Sequence, residues 1–210
     1  MSLTSEQIAE LTDGELHGSP TVVIENVQSL DEAGPTDLAF IGDDKYARKW
    51  AESRAGAALI ARKLDIVDGE GQTSIRVADV DLALAIVLEK LAPQPIVPDH
   101  GVHPSAIVDA SAKIGRDCRI GPLCVIGPDV TLGDGCILHD RVTLEAHATL
   151  GAGVNLRSGV AVGQRCQIGD GSILHAGVVI GADGFGYRPA PDGTGLIKIP
   201  QIGHVIIGRG

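Results

Sequence analysis

Every sixth residue from Val102 to Ile180 is aliphatic, and neither a helix nor a flat strand produces that period. The series runs Val102, Val108, Ile114, Ile120, Ile126, Leu132, Leu138, Leu144, Leu150, Leu156, Val162, Ile168, Leu174, Ile180. Four residues after each member comes a small or β-branched side chain, from Ala106 and Ala112 through Cys118, Cys124 and Val130 to Ser172 and Val178. An α-helix repeats at about 3.6 residues and a strand at about two. A pure six describes a short strand and a corner in alternation, which is a parallel β-helix of hexapeptides. With three hexads to a coil, residues roughly 18 apart stack at about 4.8 Å, the spacing of paired strands. Fourteen hexads make between four and five coils, and their aliphatics pile into a one-dimensional core. Glycine follows the aliphatic at 115, 121, 127, 133, 151, 163, 169 and 181, a placement that suggests tight corners with unusual dihedrals.

The hand of the coil does not follow from the repeat. Hexapeptide-repeat proteins wind left, and the resemblance to them sets the expectation of a left-handed parallel β-helix. Mainly β structure is expected, preceded by a small α/β domain. A chain of 210 residues with 44% hydrophobic content can fill one or two cores. The net charge of −10 argues against a nucleic-acid partner, which would want a basic stripe. No apolar run approaches the roughly 18 residues of a membrane span and no signal peptide opens the chain, so a cytoplasmic protein not integral to the membrane is expected. All four cysteines occupy the small slot of the repeat and none forms a CxxC pair. They read as packing residues, with no metal site and no cofactor implied.

Residues 1–95 lack the repeat. Thr4 to Gln7 resembles a capping box opening a short helix through Ile8 and Leu11. Strands are expected at 21–27, 38–42, 57–61 and 74–78, and helices at 44–54 and 80–91, the last capped by Asp79. Residues 96–101 form a proline-rich linker, with Pro93 and Pro95 just before it. The β-helix then occupies 102–210, interrupted by a loop at 181–204. Two residues beyond Gly208 the sequence stops mid-hexad, which suggests a β-helix cut short.

Aromatic residues mark the sites worth testing, because a prism filled with Ile, Val and Leu has no room for rings. Phe40, Tyr46 and Trp50 fall within eleven residues, beside Lys45, Arg48 and Lys49. Two rings six apart can sandwich a planar base, and the cations can meet a diphosphate. The same spacing also suits a plain core with a solvated face. Phe185 and Tyr187 sit in the long loop, where they can line an apolar channel or a subunit contact, or simply hold the loop down. His103, His139 and His175 form an outward column with Arg157 between the last two, and none has an obvious carboxylate to orient it as a general base. Their separation of two coils, about 9.6 Å, is too long for one zinc ion.

The order of small α/β domain, hexapeptide β-helix, GADGFGY at 181–187 and KIPQIG at 198–203 resembles the UDP-3-O-(3-hydroxyacyl)glucosamine N-acyltransferases of lipid A synthesis. The resemblance covers essentially the whole chain. It implies a homotrimer that moves a 3-hydroxyacyl chain from acyl carrier protein to the 2-amino group of a UDP-linked acylglucosamine. It implies that Phe40 and Tyr46 hold the uracil ring, with Lys45 near the phosphates. Asp43 stands where the family commonly has Asn. The family's basic histidine lies in a sequence like IAHN beyond the loop, and none of the seven histidines here matches it. No catalytic residue is therefore assigned, and the segment that engages carrier protein is expected to lie beyond Gly210. Two other readings stand beside this one: a non-catalytic trimeric UDP-sugar-binding scaffold, and a sugar-nucleotide acetyltransferase using acetyl-CoA.

Overall fold

The computed structural model describes residues 1–93 and 95–210. Gln94, within the proline-rich stretch, lies outside the described residues. Backbone packing divides the chain into two compact units, Met1–Pro95 and Ile96–Gly210.

The first unit is built on a five-stranded sheet with a separate two-stranded pair beside it in the chain. In chain order its elements are β1 (Leu3–Thr4), α1 (Ser5–Leu11), β2 (Glu15–His17), β3 (Val23–Ile24), β4 (Asn26–Val27), β5 (Asp37–Ile41), a 3₁₀ turn (Asp44–Tyr46), α2 (Ala47–Glu52), β6 (Ala57–Ala61), β7 (Ser74–Val77) and α3 (Val80–Leu91). The main sheet has the order β2-β7-β6-β5-β4, parallel except for β2. Its middle strand β6 is buried at all five residues, which is the mark of a sheet covered on both faces. Ala57, Leu59 and Ala61 pack with Ile8, Val80 and Val87 of α1 and α3. Ala58 and Ile60 pack with Ile41, Trp50 and Ile66 on the other side. The capping box at Thr4 and Gln7 is formed, and Asp79 accepts from the backbone of Asp81 and Leu82.

Two expectations need correction. The single strand expected at 21–27 is two, because Val23–Ile24 pairs antiparallel with β1 while Asn26–Val27 pairs parallel with β5. Between them the Glu25 N–H turns to the carbonyl of Thr36. The helix expected at 44–54 starts as a 3₁₀ turn and ends at Glu52.

The second unit is a parallel β-helix. Its two-residue strands form three sheets of five, and up to Ile180 each strand pairs with the one 18 residues before it in the stack, as Thr149↔Thr131 and Leu150↔Leu132 do. Ile120, Leu138, Leu156 and Leu174 stack on one sheet, Ile126, Leu144 and Val162 on the second, and Leu132, Leu150 and Ile168 on the third, all buried. The four cysteines lie buried as free thiols in the same core. At the N-terminal end of the stack Val102 and Ile114 remain exposed. The first strand, Gly101–Val102, already includes the last residue assigned to the linker.

The glycines after each aliphatic do not serve as left-handed corners. Among those expected to, only Gly181 has a positive φ. Positive φ falls instead two positions later, at Asp117, Leu123, Asp129, Gly135, Arg141, His147, Gly153, Gly159, Arg165, Gly171 and Gly177. Six of these eleven corners carry side chains, so glycine is not required there. The glycine after the aliphatic answers a different constraint. A Cβ on Gly133 would stand 2.5 Å from the backbone nitrogen of Ala152 and 2.6 Å from the carbonyl carbon of Gly151, on the next coil.

The interruption is less irregular than expected. Tyr187–Pro189 and Leu196–Lys198 form an antiparallel hairpin, tied at its base by an Asp183–Lys198 ion pair. The chain then rejoins the stack with Ile206–Ile207 on Gln167–Ile168. Ile207 thus takes the aliphatic slot above Ile168, and its side chain packs against the core.

These two kinds of corner position separate in a stability test. Gly133→Ala forces two coils apart and should cost about 1–3 kcal/mol in urea unfolding, the range for overpacking. Leu123→Ala, at an exposed corner already held by an L-residue at φ 59, should be within about 0.5 kcal/mol of wild type.

Candidate functional site

The aromatic pair singled out in the sequence comes together at the carboxyl ends of β4 and β5. Parallel sheets bind ligands at that edge, where the chain leaves each strand in a loop free to shape a site. Val27, the last residue of β4, pairs with Leu38. Phe40 lies two residues further along β5, where β4 has ended, and the residue is left 41% exposed. Beyond Ile41 the chain passes Gly42 and enters the 3₁₀ turn and α2, which bring Tyr46 and Lys49 round to face the loop after β4. Gln28, Ser29, Leu30, Asp31, Phe40, Gly42, Tyr46 and Lys49 line a cleft of about 260 Å³. That volume suits a single ring better than a whole nucleotide sugar.

Several contacts hold the two walls together. Lys49 pairs with Asp31 across the rim, and the Asp31 carboxylate holds the Lys49 ammonium above its ordinary pKa. Ser53 Oγ, just past α2, donates to the carbonyl of Leu30 at 2.8 Å. Trp50 is not part of the cleft. It is fully buried beneath α2, where its indole Nε1 donates to Asp68 Oδ1 at 2.9 Å. Asp68 also accepts from Ser74 Oγ at 2.7 Å and from Arg76 Nη2 at 2.9 Å. Burial pushes the Asp68 carboxyl up, but the bonds from Ser74, Trp50 and Arg76 outweigh it and hold the pKa below its ordinary value.

Asp43 and Lys45 sit beside the cleft and do not line it. Asp43 caps the 3₁₀ turn, its Oδ1 accepting from the Lys45 backbone N–H at 3.0 Å, and its Oδ2 lies 3.1 Å from Lys45 Nζ. The Lys45 backbone and side-chain bonds hold the Asp43 pKa down, and Asp43 in turn raises that of Lys45. The carboxylate that would otherwise repel a diphosphate is therefore already paired. Lys45 Nζ also lies 5.0 Å above the Tyr46 ring, within cation–π range.

Sequence reasoning missed the loop of Gln28 to Asp31. No local motif marks it, and only the parallel pairing of β4 with β5 brings it opposite Tyr46.

The other candidates fall on the second unit. Phe185 and Tyr187 pack against one another with ring centroids 4.8 Å apart and planes tilted by 47°, and Phe185 is 91% exposed. Of the histidine column, His139 Nε2 lies 3.2 Å from Arg157 Nη1. A guanidinium only donates, so His139 accepts there through a neutral ring. Burial, then the charge of Arg157, lowers its pKa. His103 Nδ1 is engaged by Ser105.

Comparison with known proteins decides the relationship. The family model described as UDP-3-O-(3-hydroxymyristoyl) glucosamine N-acyltransferase, LpxD, matches residues 21–90, the stretch that holds the cleft. A GMPPB C-terminal domain model matches residues 102–184. The UDP-3-O-acylglucosamine N-acyltransferase of Alkalilimnicola ehrlichii is 44% identical over 207 residues, covering 99% of this chain and 58% of that protein. The protein of that name from Paraburkholderia phytofirmans is 45% identical, covering 99% of this chain and 58% of its own. By sequence the chain is a relative of the UDP-3-O-acylglucosamine N-acyltransferases. It spans about three fifths of the length of the curated relatives it matches, 58% to 61%. Among solved structures, the acetyltransferase domain of PglB from Neisseria gonorrhoeae overlaps 81% of this chain and 92% of its own at 18% identity. Its TM-score is 0.29, too loose to carry weight. Among the described residues, no helix is long and apolar enough to cross a membrane.

Trp50 is the chain's one tryptophan, so its fluorescence reports on the core in which α2 is anchored. Asp68→Ala should cost about 1–3 kcal/mol in denaturant unfolding followed at Trp50, because it leaves buried donors unpaired. A carboxyl held below its unfolded value of 3.8 stabilises the fold above that pH. Trp50-detected stability should therefore fall as pH drops below about 4, through the folded pKa, and Asp68→Asn should flatten that fall.

Proposed function

We propose that the chain is the nucleotide-sugar-binding head and part of the β-helical body of an N-acyltransferase of lipid A synthesis. On this reading the enzyme moves a 3-hydroxyacyl chain from acyl carrier protein to the 2-amino group of UDP-3-O-acylglucosamine, as a cytoplasmic homotrimer. The observation that carries the proposal is that Phe40 and Tyr46 open into one cleft at the carboxyl edge of a parallel sheet. That cleft lies within the stretch matched by the LpxD family model.

The cleft's residues have separable roles in this proposal. Phe40 and Tyr46 offer the faces of their rings to the uracil. Stacking is driven by dispersion and by burial of two apolar faces, and is worth about 1–3 kcal/mol per base. Lys45, outside the cleft and paired with Asp43, keeps two ammonium protons for a diphosphate leaving the cleft on that side. Acceptor binding leaves the amine and the thioester to meet elsewhere. No residue of these 210 is assigned the proton transfer, and Phe185 and Tyr187 are proposed to contact the acyl chain or a neighbouring subunit.

Calorimetry with UDP tests the binding step by itself. The chain should bind UDP, and Phe40→Ala and Tyr46→Ala should each weaken binding by about 5- to 150-fold, the equivalent of one lost stacking face. Failure of the wild-type chain to bind UDP, or unchanged affinity in both variants, would remove the site from the proposal.

A further inference from the structure

The stretch at 198–203 takes no part in the cleft, yet one of its residues is seated on the turn that leads into the hairpin. The Gly186 N–H donates to the carbonyl of Gly184 at 2.9 Å, a bond between residues two apart that closes a γ-turn with Phe185 at its tip. Gln201 lies across this turn. A Cβ on Gly184 would stand 3.3 Å from Gln201 Oε1, and one on Gly186 would stand 3.1 Å from Gln201 Nε2. Neither glycine has a positive φ, so lack of space, not dihedral freedom, accounts for them. The amide therefore packs on bare backbone at both sides of Phe185. Gln201 Nε2 also donates to the Ile199 carbonyl at 3.1 Å. The Ile199 N–H in turn donates to the Gly186 carbonyl at 2.8 Å, so the clamp and the turn are tied to one segment.

We propose that Gln201 is a positioning residue: by clamping residues 184–186 it holds the Phe185 ring out in water, in the pose from which it makes its contact. The inference rests on the role proposed above for Phe185 and adds what keeps the ring ready for it. A phenyl ring this exposed, if free to turn, would fold back on the nearest apolar surface. Leu196, Ile197, Ile199 and Ile202 are all exposed and offer such surface. The ring instead rests tilted on Tyr187, and the turn beneath it is locked. An aromatic side chain has just two torsions to fix. With its backbone held by Gln201, Phe185 has little freedom left to lose on contact, which is how preorganisation strengthens binding. The Asp183–Lys198 pair secures the base of the hairpin, and Gln201 secures the turn.

The test is NMR of the 210-residue chain, whose two phenylalanines and two tyrosines allow each ring to be assigned. The wild-type chain should show a nuclear Overhauser contact between the rings of Phe185 and Tyr187. Gln201→Ala should lose it, while the cross-strand contacts of Arg188 with Ile197 and the amide signals of the coils keep their wild-type pattern. Ile202→Ala removes a neighbouring exposed side chain and should leave the ring contact in place. Absence of the contact in wild type, its survival in Gln201→Ala, or its equal loss in Ile202→Ala would overturn the clamp. Loss of the hairpin pairing together with the ring contact in Gln201→Ala would also overturn it, since Gln201 would then support the hairpin as a whole. No nucleotide or acyl ligand enters the measurement. Its failure therefore leaves the contact proposed for Phe185 standing, and failure of that contact leaves the clamp standing.

Discussion

The distance between one coil and the next governs the second unit. Each rung donates to and accepts from its neighbours along the stack, as Gly133 N–H does to the Leu150 carbonyl at 2.8 Å. That bond brings two backbones together at the spacing of paired strands, about 4.8 Å. Everything in the sequence pattern follows from what fits at that separation. An aliphatic can point inward and pack on the aliphatic above it. The small slot of Cys118, Val130 or Ala148 lies where neighbouring walls converge. Directly after the aliphatic, the coils come too close for some residues to carry a Cβ at all, and glycine stands there for want of space.

The first unit solves a different problem with the same element. A parallel sheet buried on both faces has its functional freedom at the carboxyl ends of its strands. β4 is only two residues long, so Phe40 on its neighbour emerges from the sheet without a strand on one side. The turn after β5 then supplies Tyr46, and α2 supplies Lys49. The cleft depends on α2 staying in place, and α2 is anchored by Trp50 beneath it. Asp68, Ser74 and Arg76 satisfy the buried indole N–H and one another, so a polar network outside the cleft's lining anchors the helix that carries Lys49. Charge is distributed with similar economy. Asp43 is spent on capping a turn and pairing with Lys45, while Asp31 is spent on Lys49.

Much of this was legible in the residues and some of it was not. A hexad period survives translation into structure because each residue's role depends only on its place in the coil. The rungs from Gly101–Val102 to Val179–Ile180 follow the pattern. Which residue takes the left-handed corner was misread, since a glycine's presence does not say whether dihedral freedom or lack of space requires it. Only the neighbouring coil distinguishes the two. In the first unit the element types were readable from pattern and caps, as at Ala57–Ala61 and Val80–Leu91. Pairing was not, because Thr21 to Val27 looks like one strand until its two halves find different partners. The loop of Gln28 to Asp31 was hidden for the same reason. Trp50 and Phe40, equally apolar on paper, have opposite fates: one is the core beneath the site and the other its exposed wall.

The account stands on the location of a nucleobase between Phe40 and Tyr46. A crystal structure of this chain with a UDP-linked glucosamine tests that directly. The uracil ring should lie in the cleft against both aromatic rings, with its phosphates leaving on the Lys45 side. Density for the nucleotide at any other place, with Phe40 and Tyr46 uncovered, would contradict it.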